Sequence, residues 1–458
     1  MALSPETHGV IVTHGIGDNM KPGDTLADFA NCLADYLMES PAIDAQGNKV
    51  YPEIRREVDL TANPPSVALH IKSPAGEETT WLCKEAFWGD AFPPPKASVV
   101  VWWLLRQNLK AQIKFVSEGI LTDPPNQRTY KFDLLQREKP EWTAGKGLDT
   151  RFRVKLSLAG ITIPVLAAFS TLILFLIWFV QWVPPFGPLE TVLKWVHKLD
   201  PFLSNSLGDV QRYIEHGVWS ANARARMENV VIGMLNDTYG AVRDITIVAH
   251  SMGCVLTYDA LAEGGRIAQE TTRLQALGKR KKLTFVSVGS GINQVFRLAR
   301  RSQSVFGRRQ FLRSLAKEIT GYDENSNQDA ASLQDRFFWL DIFARRDPVP
   351  AGRLDISIIN QAKVDLVSQF KSRRVINKDS VILDHTTYWA NKDTVMPRIA
   401  RAINGGAQYP WPEARITTDR LEKRTWEAAR FNLFTKVLVA AAIAGAAIYF
   451  GLKLSGVI

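Results

Sequence analysis

The stretch Asp244-Ile245-Thr246-Ile247-Val248-Ala249-His250-Ser251-Met252-Gly253 decides how this chain is read. Its β-branched run is the pattern of a short buried strand. Beyond it, Val255, Leu256, Tyr258, Ala260 and Leu261 recur as the apolar face of a helix. Strand, sharp turn and helix place Ser251 at the turn. Such a turn is strained, so small residues must flank the serine to avoid neighbouring backbone. Gly253 meets that demand, and Ala249 stands where a first glycine is more usual. A buried structural serine on an ordinary strand–helix turn is the competing reading. The strand before and the helix after favour a nucleophile.

A serine hydroxyl is a weak nucleophile at neutral pH and needs an adjacent base. In a strand–turn–helix nucleophile the partners follow in the order acid, then histidine. The histidines are 8, 14, 70, 197, 216, 250 and 385, and only His385 lies well downstream of Ser251. The acid must hold the imidazole tautomer and stabilise the imidazolium. Asp347 follows the apolar run Phe337–Phe343 and precedes Pro348-Val349-Pro350, a carboxylate just past a strand end and stiffened by proline. Asp341, inside that run, and Asp384, adjoining His385, are poorer candidates.

An oxyanion site needs two backbone N–H donors. One is expected from Met252, the residue after the nucleophile. The other is expected near the amino terminus. There Gly9–Thr13 reads as a buried strand, closing on His14-Gly15-Ile16-Gly17, with a helix from about Thr25 to Met38. Ile16 is the expected second donor, and Gly15 and Gly17 let its backbone approach a substrate. His14 is expected to orient this loop and not to act as a base.

Val12-Thr13-His14-Gly15-Ile16-Gly17 together with Ala249-His250-Ser251-Met252-Gly253 resembles the α/β-hydrolase superfamily, and both motifs are similar to those of small bacterial lipases with an alanine-variant nucleophile turn. The resemblance covers roughly residues 9–38 and 244–402, in motifs rather than throughout. It implies an α/β fold with a mostly parallel central sheet flanked by helices, a Ser251–Asp347–His385 triad, esterase or lipase chemistry, and no metal or other cofactor. Glu53–Leu60, Ser66–Lys72 and Thr79–Phe87 depart from those lipases, reading as extra strands of antiparallel type. So do two long apolar stretches.

The chain has 458 residues and a net charge of +10. Its three cysteines, Cys32, Cys83 and Cys254, show no paired spacing and read as reduced thiols. No secretory signal opens the sequence. Basic clusters at Lys279–Lys282 and around Arg300–Arg309 fit solvated loops or attraction to anionic lipid. No nucleic-acid motif accompanies them, so nucleic acid is not an expected partner. Residues 97–116 read as a buried helix or an interfacial one carrying Trp102 and Trp103. Residues 291–335 read as a basic, polar cap.

Leu156–Val183 is almost uncharged, and a helix of that length spans roughly 42 Å against a hydrocarbon core of about 30 Å. Residues 437–452 form a second apolar run at the carboxyl terminus, the pattern of a transmembrane anchor. The expected organisation is therefore hydrolase in 1–150, a membrane-inserted segment in 151–205, hydrolase again in 206–405, and linker plus anchor in 406–458. The strands before Ile16 and before Ser251 must share one sheet, so 156–183 cannot cross once. It must re-enter, lie in the interface or return. Lys146, Arg151, Arg153 and Lys155 before it, and Arg415, Arg420, Lys423, Arg424 and Arg430 before the tail, put the body on the cytoplasmic side.

The expected function is a membrane-anchored serine esterase, lipase or phospholipase acting on acyl esters of membrane lipids at the cytoplasmic face. A thioesterase or amidase on lipidated protein uses the same triad. A non-catalytic membrane scaffold with a hydrolase body is the alternative of another class. Acyl chain, head group and oligomeric state are not encoded in these motifs.

Overall fold

The computed structural model describes residues 6–16, 21–43, 48–74, 76–92, 95–96, 98–107, 208–261, 266–279, 281–295, 337–344, 347, 349–350, 352–354, 370–375, 377 and 383–404. Strand β1 (Glu6–Thr13) leads into helix α1 (Asp24–Met38). A small antiparallel pair follows, β2 (Ala42–Ile43) with β3 (Lys49–Val50). Strands β4 (Glu53–Asp59), β5 (Ser66–Lys72) and β6 (Glu78–Glu85) form an antiparallel meander. Helix α2 covers 98–107. The chain returns in helices α3 (Gly208–Glu215) and α4 (Gly217–Leu235), then strand β7 (Ile245–His250). Helices α5 (Met252–Ala260) and α6 (Arg266–Ala276) precede strands β8 (Leu283–Val288), β9 (Phe337–Ala344) and β10 (Phe370–Val375). The short helix α7 (Leu383–Thr386) and helix α8 (Met396–Ile403) close the described chain.

Eight strands make one sheet in the order β10-β9-β8-β7-β1-β6-β5-β4. From β10 to β6 every neighbouring pair is parallel, and β5 is antiparallel to both its neighbours. The fold is α/β with a mostly parallel sheet. Such a sheet must be covered on both faces, because its strands are apolar on both. Ile11, Ile245, Ile247, Phe285 and Trp339 point to one face, in the same core as residues of α4 and α5. Val10, Val12, Val248, Val286 and Ile342 point to the other, in a core shared with α1 and α8. Ile11, Val12, Val248 and Val286 have no accessible surface, and each such side chain stabilises the fold by roughly 1.5–3 kcal/mol before chain entropy is counted.

β1 lies between β6 and β7, with Thr13 opposite Ala249. Segments on either side of residues 108–207 therefore share one sheet. Helix α2 buries Val100, Val101, Trp103 and Leu105 and exposes Val99 and Trp102. It is a packed helix with one open stripe. Among the described residues no helix is long and apolar enough to cross a membrane. The two apolar stretches, 156–183 and 437–452, lie outside the described residues, as do 108–116 of the expected 97–116 helix. Cys83 and Cys254 are buried, Cys32 is partly so, and all three are free thiols.

Candidate active site

Parallel strands bring their carboxyl ends to one edge of a sheet, and ligands of open α/β sheets sit there. His14, Gly15 and Ile16 follow β1, Ser251 follows β7, Gly289 follows β8, Asp347 follows β9 and His385 follows β10. Five chain segments far apart in sequence thus converge on one edge.

Ser251 has φ 55° and ψ −119°, in a region that side chains avoid. A non-glycine residue held there costs about 1–3 kcal/mol and persists only where its surroundings over-determine it. Here the Ser251 N–H donates to Val288 O at 3.0 Å, and the Gly291 N–H donates to Ser251 O at 3.1 Å. Close approaches finish the constraint. A β-carbon on Gly253 would lie 2.4 Å from His14 O, and one on Gly15 would lie 2.6 Å from Ser251 Cβ. The small residues of both motifs are required because the β1 loop and the β7 turn touch.

The Ser251 hydroxyl lies 2.8 Å from His385 Nε2, and His385 Nδ1 lies 2.8 Å from Asp347 Oδ2. A carboxylate can only accept, so Nδ1 carries the proton and Nε2 accepts from the serine. The Asp347 side chain is fully buried, and that of His385 keeps 18 % of its surface accessible. The second Asp347 oxygen accepts from the Val349 N–H at 2.9 Å. Asp341 takes no part in this chain: it accepts from Ser287 and Ser372 hydroxyls across β8, β9 and β10, and burial pushes its carboxyl up to about 6. Asp384 is buried beside His385, and the carboxylate on the His385 ring is Asp347.

His14 sits under the first loop. Its Nδ1–H donates to Gly15 O at 2.7 Å, and its Nε2 accepts from the Trp88 N–H at 3.3 Å. Trp88 stacks on the ring at 4.8 Å and donates its indole N–H to His14 O. Burial pushes the imidazole down to about 4, so it stays neutral. A trans peptide points its N–H away from its C=O. With Gly15 O held by His14, the Ile16 N–H faces the opposite way. Met252 opens α5, so its N–H has no acceptor within the helix and adds to the positive end of the dipole. Gly17 lies outside the described residues.

Three neighbours escaped the sequence reading. His250 donates from Nε2 to the backbone O of His385 at 2.8 Å, with the two rings 4.7 Å apart. Burial, reinforced by His385, pushes it down to about 3. Gly289, with φ +57°, lies against Asp347 and His385. Tyr388 donates to Asp347 Oδ2. Only the glycine and its neighbour Gly291 left a sequence signal, as a Gly-Ser-Gly step after a strand. The expected polar cap is corrected at its start. Ile292, Asn293 and Val295 are a buried helical turn, and the Asn293 amide donates to Pro350 O and Arg353 O, tying it to the loop after Asp347. Residues 296–335 lie outside the described residues.

Chemically, the arrangement joins a hydroxyl to a base and the base to a buried carboxylate, with the hydroxyl's residue at the amino-terminal cap of a helix. Among the described residues no group of histidines, cysteines and carboxylates is placed to hold a metal ion. Compared with protein-family models, with curated proteins and with solved structures, the chain matches none.

Proposed function

We propose that this chain is a serine hydrolase of the α/β-hydrolase type that cleaves acyl esters. The observation that carries this reading is the continuous hydrogen-bonded chain Ser251 Oγ–His385–Asp347, both links 2.8 Å, hung from the carboxyl ends of parallel strands. His385 Nε2 takes the hydroxyl proton as Oγ attacks the ester carbonyl. The N–H groups of Met252 and Ile16 receive the oxyanion. The imidazolium, held by Asp347, returns the proton to the leaving alkoxide, and water then releases the acid by the same steps.

The substrate class we assign is membrane lipid, with the body anchored at the cytoplasmic face. Leu156–Val183 and 437–452 support this, as does the exposed Val99 and Trp102 stripe on α2, the helix from which the chain departs towards that segment. Because β1 and β7 are neighbours, any insertion by 108–207 re-enters or returns and does not cross once.

The test has two arms. A fluorophosphonate probe should label the wild type and leave Ser251→Ala unlabelled. Wild type incubated with a total lipid extract should release fatty acid or a lysolipid that Ser251→Ala does not. An unlabelled wild type, beside a labelled control lipase, ends the hydrolase reading and leaves the scaffold. Labelling with turnover only of acyl thioesters or amides replaces the ester assignment.

A further inference from the structure

Asp347 has one more donor than the hydrolytic chain needs. The Tyr388 hydroxyl lies 2.8 Å from Asp347 Oδ2, the same oxygen that accepts His385 Nδ1–H. The hydroxyl is itself placed by a third group: the Ala344 N–H, at the end of β9, donates to it at 2.8 Å. The relay runs from the last strand residue before the Asp347 loop, through a phenol, to the carboxylate. Tyr388 also lies three residues beyond His385, just past the end of α7. It thereby fixes the distance between the two segments that deliver acid and base. The ring is buried, and a β-carbon on Gly289 would come within 2.7 Å of it. Burial, then the Asp347 charge, raises the phenol far above its ordinary range, so it remains a donor at every working pH.

We infer that Tyr388 is a positioning residue for the acid, holding Asp347 Oδ2 in line with His385 Nδ1 through a charged hydrogen bond whose donor is aimed by the Ala344 N–H. This rests on the serine-hydrolase reading. A carboxylate whose Oδ2 accepts only from an imidazole can turn about its Cβ–Cγ bond and lose that alignment. Here Val349 holds Oδ1, and Tyr388 joins His385 on Oδ2, so the turn would break three hydrogen bonds. Charge-assisted bonds are the strong ones, and a base misplaced by a fraction of an ångström loses rate steeply.

The alternative is that Tyr388 merely packs, and the two are separable without knowing the substrate. The readout is the second-order rate at which a fluorophosphonate probe labels Ser251, measured for wild type, Tyr388→Phe, Asp347→Asn and the double variant. Tyr388→Phe should slow labelling roughly tenfold, about the size of one hydrogen bond to a charged group. In the Asp347→Asn background it should slow labelling no further, because its route to the base is already cut. A wild-type rate in Tyr388→Phe overturns the inference. So does an equal loss in both backgrounds, which would make Tyr388 a packing residue. Should Tyr388→Phe fail to fold, 3-fluorotyrosine at 388 keeps ring and contacts and alters only donor strength. A labelling rate unmoved by it overturns the inference equally. Absence of labelling in wild type sinks the hydrolase reading itself, a different outcome from any of these.

Discussion

A β-carbon on Gly289 would stand 2.7 Å from Tyr388 Cε2, so the residue after β8 has to be a glycine for Tyr388 to lie where it does. The same β-carbon would come within 3.1 Å of Asp347 Oδ2 and 3.3 Å of His385 Nδ1. Gly289→Ala should therefore strike acid, base and phenol at once. Its φ of +57° adds about 1–2 kcal/mol of backbone strain for a residue with a side chain. Expected are a lower melting temperature and a fall of roughly 100-fold in Ser251 labelling. A Gly289→Ala protein that labels at the wild-type rate would show that the cluster can shift without loss.

The two motif glycines should fail differently. Gly15→Ala puts a methyl 2.6 Å from Ser251 Cβ and 3.2 Å from its Oγ, at the rim of the site. Gly253→Ala puts one 2.4 Å from His14 O and 3.1 Å from Thr13 O, backbone at the end of a central strand. Gly15→Ala should remove activity by roughly 100-fold or more while melting near wild type. Gly253→Ala should lower the melting temperature more than Gly15→Ala does. Thermal melting and probe labelling of the two proteins, side by side, decide the point. Equal melting temperatures would contradict it.

Glu85 predicts a pH effect away from the chemistry. It lies at the end of β6, takes the Gly23 N–H at the start of α1, and leaves one buried oxygen without a partner among the described residues. Burial pushes its carboxyl up to about 7. A carboxyl raised in the folded state binds its proton more tightly there than in the unfolded chain. Below the ordinary value of 4.5 both states are protonated and nothing is lost. Between that value and about 7 only the unfolded state ionises, and stability falls by up to about 3 kcal/mol, then levels. Glu85→Gln should match wild type near the acid end of this window and exceed it in denaturant midpoint at pH 8. Equal midpoints at pH 8 would mean that the carboxylate is relieved by a group other than Gly23.

How much of this was legible follows from the range over which each feature acts. Strand and helix periods are local, so β1, β5, β7 and β8 could be read to within a few residues, and α1 likewise. Ser251 announced itself through small flanking residues, since those are a local steric demand. His385 could be reached by elimination and Asp347 by its place after an apolar run. Tyr388 and Gly289 could not. Their roles exist only when β8, β9 and the segment after β10 lie side by side, and one tyrosine among ten carries no mark of that. Glu85 was hidden for a related reason. A carboxylate inside Trp-Leu-Cys-Lys-Glu reads as an exposed strand end until α1 is laid across it. The interior position of β1 was equally beyond local pattern. Two parallel neighbours, one near and one remote in sequence, look alike in a β-branched run.

That interior position has a consequence for how the protein is made. β1 pairs early with β6, but its other edge waits for β7, which begins roughly 230 residues after β1 ends. At ~5–20 residues per second of synthesis, the nascent chain holds an open strand edge, apolar over Val10–Val12, for on the order of ten to fifty seconds. During that wait Val10, Ile11 and Val12 form a template for any passing strand. The ribosome-bound stage is thus the one most exposed to misassembly, and it closes only as β7 and, directly after it, Ser251 are synthesised.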